Sequence, residues 1–330
     1  MLERIHGTWL GGAAVHSYMI PSWTLSPVPL IVGLVLIFQG GTAALIGVGF
    51  ISLLVWLNVH TFAYRPEVVR LAYDLDMSKY YRKCELRGAL DKVKTSNTLF
   101  MFHPHGILAV GFVVNGVWSR HFNTLSSEKD LEPGQHTGTM FLIARNLREW
   151  SAFFKVLCDV SGRLSSATKE NINSMMAAKR NIGIIPGGFE DATLHKFGCD
   201  RTCIMPRKGL IKYALQYGYA VTPIWTFGES DTYYTFTAFL KQRLALNQYS
   251  IPGVAFFGDL LMPLFPRHQS CCLTYVGEPL QMPHLPHPTQ EEVDEWHGKY
   301  VAALRELYSK HKSEANADGA GSPSAQLEIY

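Results

Sequence analysis

The sequence is short of charge. Of its 330 residues, 17% are Asp, Glu, Lys or Arg, against about 25% in an average soluble domain. The formal net charge is only +3, so no strong field would attract a polyanion and we expect no nucleic-acid partner. Aliphatic and aromatic residues make up 47% of the chain, which excludes a disordered chain and a collagen-like fibre. This composition predicts a folded protein with a sizeable core.

Charge is missing above all near the amino terminus. Residues 5–64 contain no Asp, Glu, Lys or Arg. Within them, residues 19–38 and 43–59 are mostly apolar runs, each long enough to cross a bilayer core, which needs about 17–25 apolar helical residues. We predict a membrane anchor over residues 1–64, folded as a transmembrane hairpin. The alternative is one long tilted helix over residues 30–59.

The segment that follows the anchor is basic. Residues 65–94 carry eight Lys and Arg against five Asp and Glu. Positive residues beside a membrane segment favour the cytosolic side, so we expect a domain over residues 65–312 to face the cytosol. Residues 313–330 are small and polar, and we predict a disordered tail there. The six cysteines are scattered without zinc-site spacing, so we interpret them as reduced and structural.

Beyond the basic segment, strand-like and helical runs alternate. Strands are predicted over residues 98–102, 139–144, 181–185, 220–227 and 270–276, and helices over 147–157, 168–180, 208–217 and 290–312. This alternation predicts an α/β fold with a mixed, mostly parallel sheet and flanking helices, preceded by the transmembrane helical hairpin. Residues 213–266 hold only five charges. Their section from Ile251 to Phe265 is broken by Pro and Gly, which predicts either a buried loop or a segment that contacts lipid.

Two histidines stand at the end of a predicted strand. His103 and His105 lie within residues 95–119, which have no charged side chain. Burial there would keep an imidazole neutral and able to accept a proton, so one of them is a candidate general base. Gly106 would allow close approach of a substrate. The alternatives are packed core histidines or a metal site, and because no third ligand follows until His121 we expect no metal.

A second candidate group follows the predicted strand over residues 181–185. Gly187 and Gly188 permit positive φ and expose backbone N–H groups, while Glu190 and Asp191 supply carboxylates. Either carboxylate would orient a histidine or raise its basicity. The alternative is an ordinary turn with a helix cap.

A third candidate group opens a predicted helix. Arg207, Lys208 and Gly209 place two cations at a helix amino terminus, which favours an anion such as the phosphates of a nucleotide-bearing substrate. The alternative is a solvated basic turn. The chain has no P-loop, dinucleotide-binding or Ser-hydrolase motif, which argues against those three classes of enzyme.

Together the three groups resemble the type-2 diacylglycerol acyltransferase family, which includes monoacylglycerol and wax-alcohol acyltransferases. The matching blocks are His103-Pro104-His105-Gly106 for the family's HPHG signature, Pro186-Gly187-Gly188 for its PGG block, Arg207-Lys208-Gly209 for its RKG block, and the segments Thr222 to Glu229, Val276 to Pro279 and His287 to Gln290. One departure is Asp191, where the family carries Glu. Either the shorter carboxylate serves or its role has passed to Glu190.

The resemblance implies an endoplasmic-reticulum membrane enzyme that transfers an acyl group from acyl-CoA to the hydroxyl of diacylglycerol, with products collecting in lipid droplets. No cofactor is implied beyond acyl-CoA as co-substrate. Catalytic roles are expected for His105, His103, Asp191 and Glu190, and substrate contacts for Gly106, Gly187, Gly188, Arg207, Lys208 and Gly209. His105 is favoured over His103 as the base. Monoacylglycerol or a long-chain alcohol as acceptor, a non-catalytic lipid-binding membrane protein, and a homo-oligomer stay open.

Overall fold

An eight-stranded sheet forms the centre of the protein, and the computed structural model describes residues 2–123 and 138–330. The strands are β1 (Lys83–Gly88), β2 (Thr98–His103), β3 (Met140–Ile143), β4 (Leu164–Ser166), β5 (Ile182–Ile184), β6 (Arg201–Thr202), β7 (Ala220–Phe227), β8 (Tyr234–Thr235), β9 (Phe256–Phe257), β10 (Cys271–Val276), β11 (Leu280–Gln281) and β12 (Glu328–Ile329). The order is β1-β10-β7-β2-β5-β3-β4, with β11 beside β7. Within the described part of this sheet, β10 and β11 pair antiparallel with β7 and every other pairing is parallel, so the predicted mixed, mostly parallel sheet is confirmed.

Helices cover both faces of this sheet. They are α1 (Trp9–Thr24), α2 (Val28–Gln39), α3 (Gly41–Val59), α4 (Pro66–Leu75), α5 (Val110–Phe112), α6 (Arg120–Asn123), α7 (Arg145–Trp150), α8 (Ala152–Ser161), α9 (Lys169–Ala177), α10 (Gly188–Leu194), α11 (Gly209–Tyr217), α12 (Leu240–Leu246) and α13 (Gln290–Ala317). Side chains of β2 alternate between the faces. Phe100 and Phe102 pack with α1 and α8, whereas Leu99 and Met101 pack with α9, α11 and α13.

Local signals set several helix ends where the sequence predicts them. The Thr168 side chain accepts the Asn171 N–H at 3.3 Å and begins α9, and Gly218, with φ +64°, ends α11. The helix predicted over residues 147–157 is divided instead. Ser151 has extended backbone angles and its hydroxyl caps α8, so α7 and α8 are separate elements.

The amino-terminal region forms a helical hairpin of α2 and α3 joined at Gly40. Gly47 packs so closely on α2 that a Cβ there would lie 2.7 Å from the Gly33 oxygen. α3 is long and apolar enough to cross a membrane, with 11% of its apolar window buried. The first predicted span, residues 19–38, is wrong as a continuous helix, because α1 and α2 are bent by 63° where Pro27 lacks an N–H.

The carboxyl-terminal residues 313–330 are folded, which corrects the predicted disordered tail. α13 continues to Ala317, and β12 pairs in parallel with β6. Ala315 and Ala320 are fully buried against the sheet. Composition misled the prediction because these small side chains fit closely against a surface that only the folded chain provides.

Candidate active site

Adjacent strand ends bring the predicted site residues together. β7, β2 and β5 are neighbouring parallel strands, so their carboxyl ends meet at one edge of the sheet. His103 is the last residue of β2, Gly187 follows β5, and Glu229 follows β7. The site is therefore built from segments distant in sequence whose strands happen to be neighbours.

His103 is wholly buried and uses both ring nitrogens inside the protein. Its Nδ1 lies 2.8 Å from Thr202 Oγ1 and its Nε2 lies 2.8 Å from the Tyr300 hydroxyl. Since the Thr202 hydroxyl donates to Asp191 Oδ2 at 3.1 Å, Thr202 accepts from Nδ1–H, and Tyr300 donates to Nε2. Burial lowers the pKa of His103 to about 3. His103 is thus a neutral member of a closed hydrogen-bond chain.

Asp191 ends this chain at the backbone of the HPHG turn. Its carboxylate accepts the N–H groups of His105, at 3.3 Å, and of Cys203. The carboxylate lies against Gly187, where a Cβ would come 2.1 Å from Asp191 Cγ. Burial raises the pKa of Asp191 to about 6, although its donors and Arg207 oppose the rise. Asp191 therefore positions the His105 backbone, and among the described residues it forms no hydrogen bond with the ring.

His105 is half-buried, unlike His103. Its Nδ1 lies 3.1 Å from its neighbour's carbonyl oxygen, on Gly106, which places the proton on Nδ1. No residue that the structure describes forms a hydrogen bond with Nε2, which is left as a proton acceptor. Burial lowers the pKa of His105 below its usual 6.5, so the ring is neutral at neutral pH. Of the two histidines, His105 has the geometry of a general base.

Glu229 is a site residue that sequence reasoning missed. Its fully buried carboxylate accepts the N–H groups of Val110 and Gly111, both at 2.9 Å. A Cβ on Gly106, where φ is +59°, would lie 2.5 Å from Glu229 Oε1. The space expected for close approach of a substrate is thus filled by Glu229. The signal in the sequence was a carboxylate directly after the charge-free strand β7.

The basic group at the start of α11 lies beside the carboxylate-bearing group that follows β5. Arg207 pairs with Glu190 through its guanidinium, and Lys208 Nζ lies 2.8 Å from the Asp294 carboxylate. All four side chains are between 35% and 46% exposed, so an anion from solution could replace either partner. Gly209 begins α11 with open space around it. Of the two carboxylates that follow Gly188, Glu190 therefore contacts a cation and Asp191 contacts the HPHG turn.

Two neighbouring groups were also missed. His195 is buried, and burial together with the nearby His105 lowers its pKa to about 4. Its Nε2 has no hydrogen-bond partner among the described residues. The Cys203 thiol is next to Asp191, and burial with that carboxylate raises its pKa, so it is not an activated nucleophile. Within residues 2–123 and 138–330, no three His, Cys, Asp or Glu side chains are grouped as metal ligands.

Comparisons with known proteins identify the family of the chain. The sequence model of the family described as Diacylglycerol acyltransferase matches residues 35–322. Diacylglycerol O-acyltransferase 2 of Dictyostelium discoideum is 29% identical over 236 residues, 66% of each chain. Human 2-acylglycerol O-acyltransferase 1 is 30% identical over 250 residues, and human acyl-CoA wax alcohol acyltransferase 2 is 28% identical over 247, each covering 71% of both chains.

The chain matches only part of some of these relatives, covering 58% of human diacylglycerol O-acyltransferase 2 and 61% of its Xenopus laevis counterpart. A solved structure with a similar arrangement is the 1-acyl-sn-glycerophosphate acyltransferase PlsC of Thermotoga maritima. It has a TM-score of 0.39 and 11% identity, and the likeness covers 91% of this chain and 93% of that one. The family match spans far more than half of the sequence and includes every candidate site residue. The chain therefore belongs to the diacylglycerol acyltransferase family.

Proposed function

We propose that the protein is an acyl-CoA-dependent O-acyltransferase that esterifies diacylglycerol to triacylglycerol. The observation that carries this proposal is the state of His105, which is neutral, half-buried and free at Nε2 within an HPHG turn. Asp191 and Glu229 hold that turn from two sides. The names of the relatives, which include several diacylglycerol O-acyltransferases, support this acceptor.

The reaction is a direct transfer with His105 as the base. Its Nε2 removes the proton of the acceptor hydroxyl while the hydroxyl oxygen attacks the thioester carbonyl carbon. The tetrahedral intermediate collapses with cleavage of the carbon–sulfur bond, and the imidazolium returns the proton to the CoA thiolate. Backbone N–H groups at Gly187 and Gly188 stabilise the oxyanion. The Asp191 carboxylate, close to the turn, stabilises the transient positive charge.

CoA is bound through its phosphates at the start of α11. Arg207 and Lys208 exchange their present carboxylate partners, Glu190 and Asp294, for the more highly charged phosphates. Because Arg207 also lies near Asp191, phosphates bound there place the thioester end of acyl-CoA within reach of the sheet edge.

The membrane supplies the second substrate. Away from their contact with each other, α2 and α3 expose apolar side chains along their length, including Phe38 at 87%, Leu45 at 76% and Val59 at 78%, which is typical of helices surrounded by lipid. We place this anchor in the endoplasmic-reticulum membrane with the sheet domain on the cytosolic side. Triacylglycerol has neither a free hydroxyl nor a charged headgroup to retain it at the surface, so product would collect in lipid droplets.

The test is an assay of the full chain in nanodiscs with radiolabelled acyl-CoA. Diacylglycerol, monoacylglycerol and a long-chain alcohol are offered separately, and the labelled ester is identified. We expect triacylglycerol at the highest kcat/KM. His105→Ala should lower the rate by at least about 10³-fold, while His284→Ala, which removes an exposed histidine far from the sheet edge, should not. Preference for another acceptor would revise the substrate, and a fully active His105→Ala protein would refute the mechanism.

A further inference from the structure

The domain exposes a second apolar surface, separate from α2 and α3. It consists of the side chains of Phe236, Phe239, Leu240, Leu246, Tyr249, Ile251, Phe257, Leu260 and Leu261, all at least 38% exposed. Leu260 and Leu261 are 86% and 91% exposed at the tip of a turn closed by the bond from Gly258 N–H to the Pro263 oxygen, 2.8 Å. A group of large apolar side chains so exposed marks a binding surface.

Two of the three charges of this segment are held by hydrogen bonds within the protein. Residues 236–265 contain three charged side chains, of which Lys241 is exposed and Arg243 and Asp259 are partly buried. The Arg243 guanidinium donates to the carbonyl oxygens of Thr193, Thr237, Ala238 and Gly253. Asp259 is bonded to His268 at 2.5 Å and accepts the Leu261 N–H. The segment thus presents one charged side chain to solvent beside nine large apolar ones, which is unusual for a loop surrounded by water.

The second apolar surface lies on the anchor's side of the sheet. His268, which holds Asp259, meets Trp9 of α1 edge to face, with ring centroids 6.5 Å apart. The Tyr80 hydroxyl donates to the Pro266 oxygen at 2.8 Å. Phe256 and Phe265 pack against the same core cluster as α1 and α8, and α8 packs on α3. The surface is thus continuous with the region where the anchor leaves the domain.

Cations lie behind the apolar tip. Arg82 and Arg267 line a cavity of about 470 Å³ together with Gln269, Ser270 and one carboxylate, Asp231, so cations outnumber anions there by two to one. A neighbouring cavity shares Arg82 and is lined by Trp9 and His268. This arrangement matches the layers of a lipid leaflet. The apolar side chains at the tip correspond to the acyl chains, the aromatic rings to the interface, and the guanidinium groups to the phosphates.

We propose that the second apolar surface inserts into the lipid leaflet that holds the anchor, as an independent membrane contact of the domain. Leu260 and Leu261 enter the acyl region, Tyr249 and Trp9 lie at the interface, and Arg82 and Arg267 face anionic headgroups. This inference rests on the proposed membrane location of α2 and α3. Its consequence is that the domain is held at two places, which fixes its height above the leaflet that supplies diacylglycerol.

A depth measurement tests the insertion directly. A solvatochromic fluorescent amino acid replaces Leu261 in the full chain, which is placed in nanodiscs containing one copy each. The control is the same probe at Lys310, an exposed position of α13 on the opposite face of the sheet. We expect a blue shift at 261 and quenching by lipids with a nitroxide in the acyl chain at least about twice that by headgroup nitroxides, with neither effect at 310.

Each other result of this measurement contradicts the proposal. A probe at 261 with the emission of water overturns it. A blue shift that occurs only in discs with two copies would assign the surface to a second copy of the chain, and a blue shift without acyl-chain quenching would assign it to contacts within the protein. None of these readouts depends on turnover, so they stay informative even if the proposed acyl transfer is not observed.

A kinetic measurement tests the consequence for substrate supply. The double variant Leu260→Glu/Leu261→Glu should raise the apparent KM for diacylglycerol in anionic vesicles about tenfold, with kcat within about twofold. Its KM for a water-soluble short-chain acceptor should not change. Lys310→Glu, with the same added negative charge elsewhere, should leave both constants unaffected. An unchanged KM for vesicle-borne acceptor in the double variant would refute a role in supply.

Discussion

At the residue scale, the site depends on a shared hydrogen-bond chain more than on a single pair. Hydrogen bonds connect Tyr300 to His103, His103 to Thr202 and Thr202 to Asp191, and Asp191 accepts the backbone N–H of His105. A neutral His103 transmits no charge, but it fixes the orientation of the turn that carries His105. This division explains why two histidines two residues apart have different environments, one closed on both sides and the other open at Nε2.

Asp191 should set the acid limb of the pH profile. A base must be unprotonated, and burial keeps the pKa of His105 below 6.5, while burial raises the pKa of Asp191 to about 6. As the pH falls through about 6, Asp191 becomes neutral and no longer stabilises the imidazolium. We expect kcat/KM to be constant above about pH 7 and to fall below pH 6.

The variant Asp191→Asn removes this titration. Its kcat/KM at pH 7.5 should be about tenfold lower, and the part of the fall near pH 6 that Asp191 causes should disappear, leaving only the limb set by His105. Asp191→Glu, which keeps the charge, should keep the fall. An Asp191→Asn protein whose profile coincides with that of the wild type from pH 5 to 8 would show that Asp191 is structural only.

Glu229 should matter through the turn that it supports. Its two oxygens accept one N–H each, from Val110 and Gly111, and Glu229→Gln leaves one of these buried donors unpaired, at a cost of about 1–3 kcal/mol. We expect a lower Tm and a kcat reduced about tenfold. Glu278→Gln, at an exposed glutamate, is the control. Equal Tm and kcat for wild type and Glu229→Gln would contradict this role.

At the element scale, the start of α11 should govern the affinity for acyl-CoA. Arg207→Ala removes one of the two cations and should raise the KM for acyl-CoA about tenfold, with a smaller effect on the KM for diacylglycerol. Arg305→Ala, at an exposed arginine of α13, serves as the control in the same assay. The reverse pattern, in which the KM for diacylglycerol rises more, would remove Arg207 from the CoA site.

The packing of α2 on α3 provides a prediction with its control in the same helix. A side chain at Gly47 would collide with the Gly33 oxygen at 2.7 Å and with Ile37, whereas one at Gly49 meets nothing within 4 Å. Gly47→Leu should therefore cost about 1–3 kcal/mol of packing free energy and lower the Tm in nanodiscs, and Gly49→Leu should not. Equal Tm values would show that α2 and α3 do not pack in lipid as they do here.

At the scale of the whole molecule, the three charge-poor regions of the sequence prove to have different causes. Residues 5–64 form α1 to α3, and residues 95–119 are almost entirely buried core around β2. Residues 213–266 divide into the buried strand β7 and the second apolar surface. Composition alone predicts that these regions avoid water, but not whether protein or lipid replaces it.

Five of the eight strands of the sheet were predictable because their signals are local, whereas β1, β4 and β11 were not predicted. Apolar runs gave β2 and β7, and caps gave the start of α9 and the end of α11. The partners of His103 were not predictable, since Thr202 and Tyr300 are 99 and 197 residues away from it and meet it only through the strand order. The motifs predicted which residues gather at the site, and the fold decides that Asp191 contacts the turn while Glu190 pairs with Arg207.

The short length of α2 limits how far the anchor reaches into the membrane. α2 has 12 residues, a length of about 18 Å, which is well short of the roughly 30 Å of a bilayer core. Because α1 packs on the domain before the 63° bend, Gly40 should lie within the membrane and not beyond it. The hairpin would then enter and leave on the cytosolic side.

Thiol labelling in sealed microsomes distinguishes the two topologies. Thr42→Cys introduces a thiol at an exposed position beside the hairpin turn. This thiol should resist a membrane-impermeant maleimide applied from outside, and it should still resist it after the lumen is opened without dissolving the bilayer. It should react only in detergent. Lys310→Cys should be labelled in intact microsomes if the domain faces the cytosol as we propose. Labelling of Thr42→Cys as soon as the lumen is opened would instead establish two full crossings, and local thinning of the bilayer would then allow the short α2 to span it.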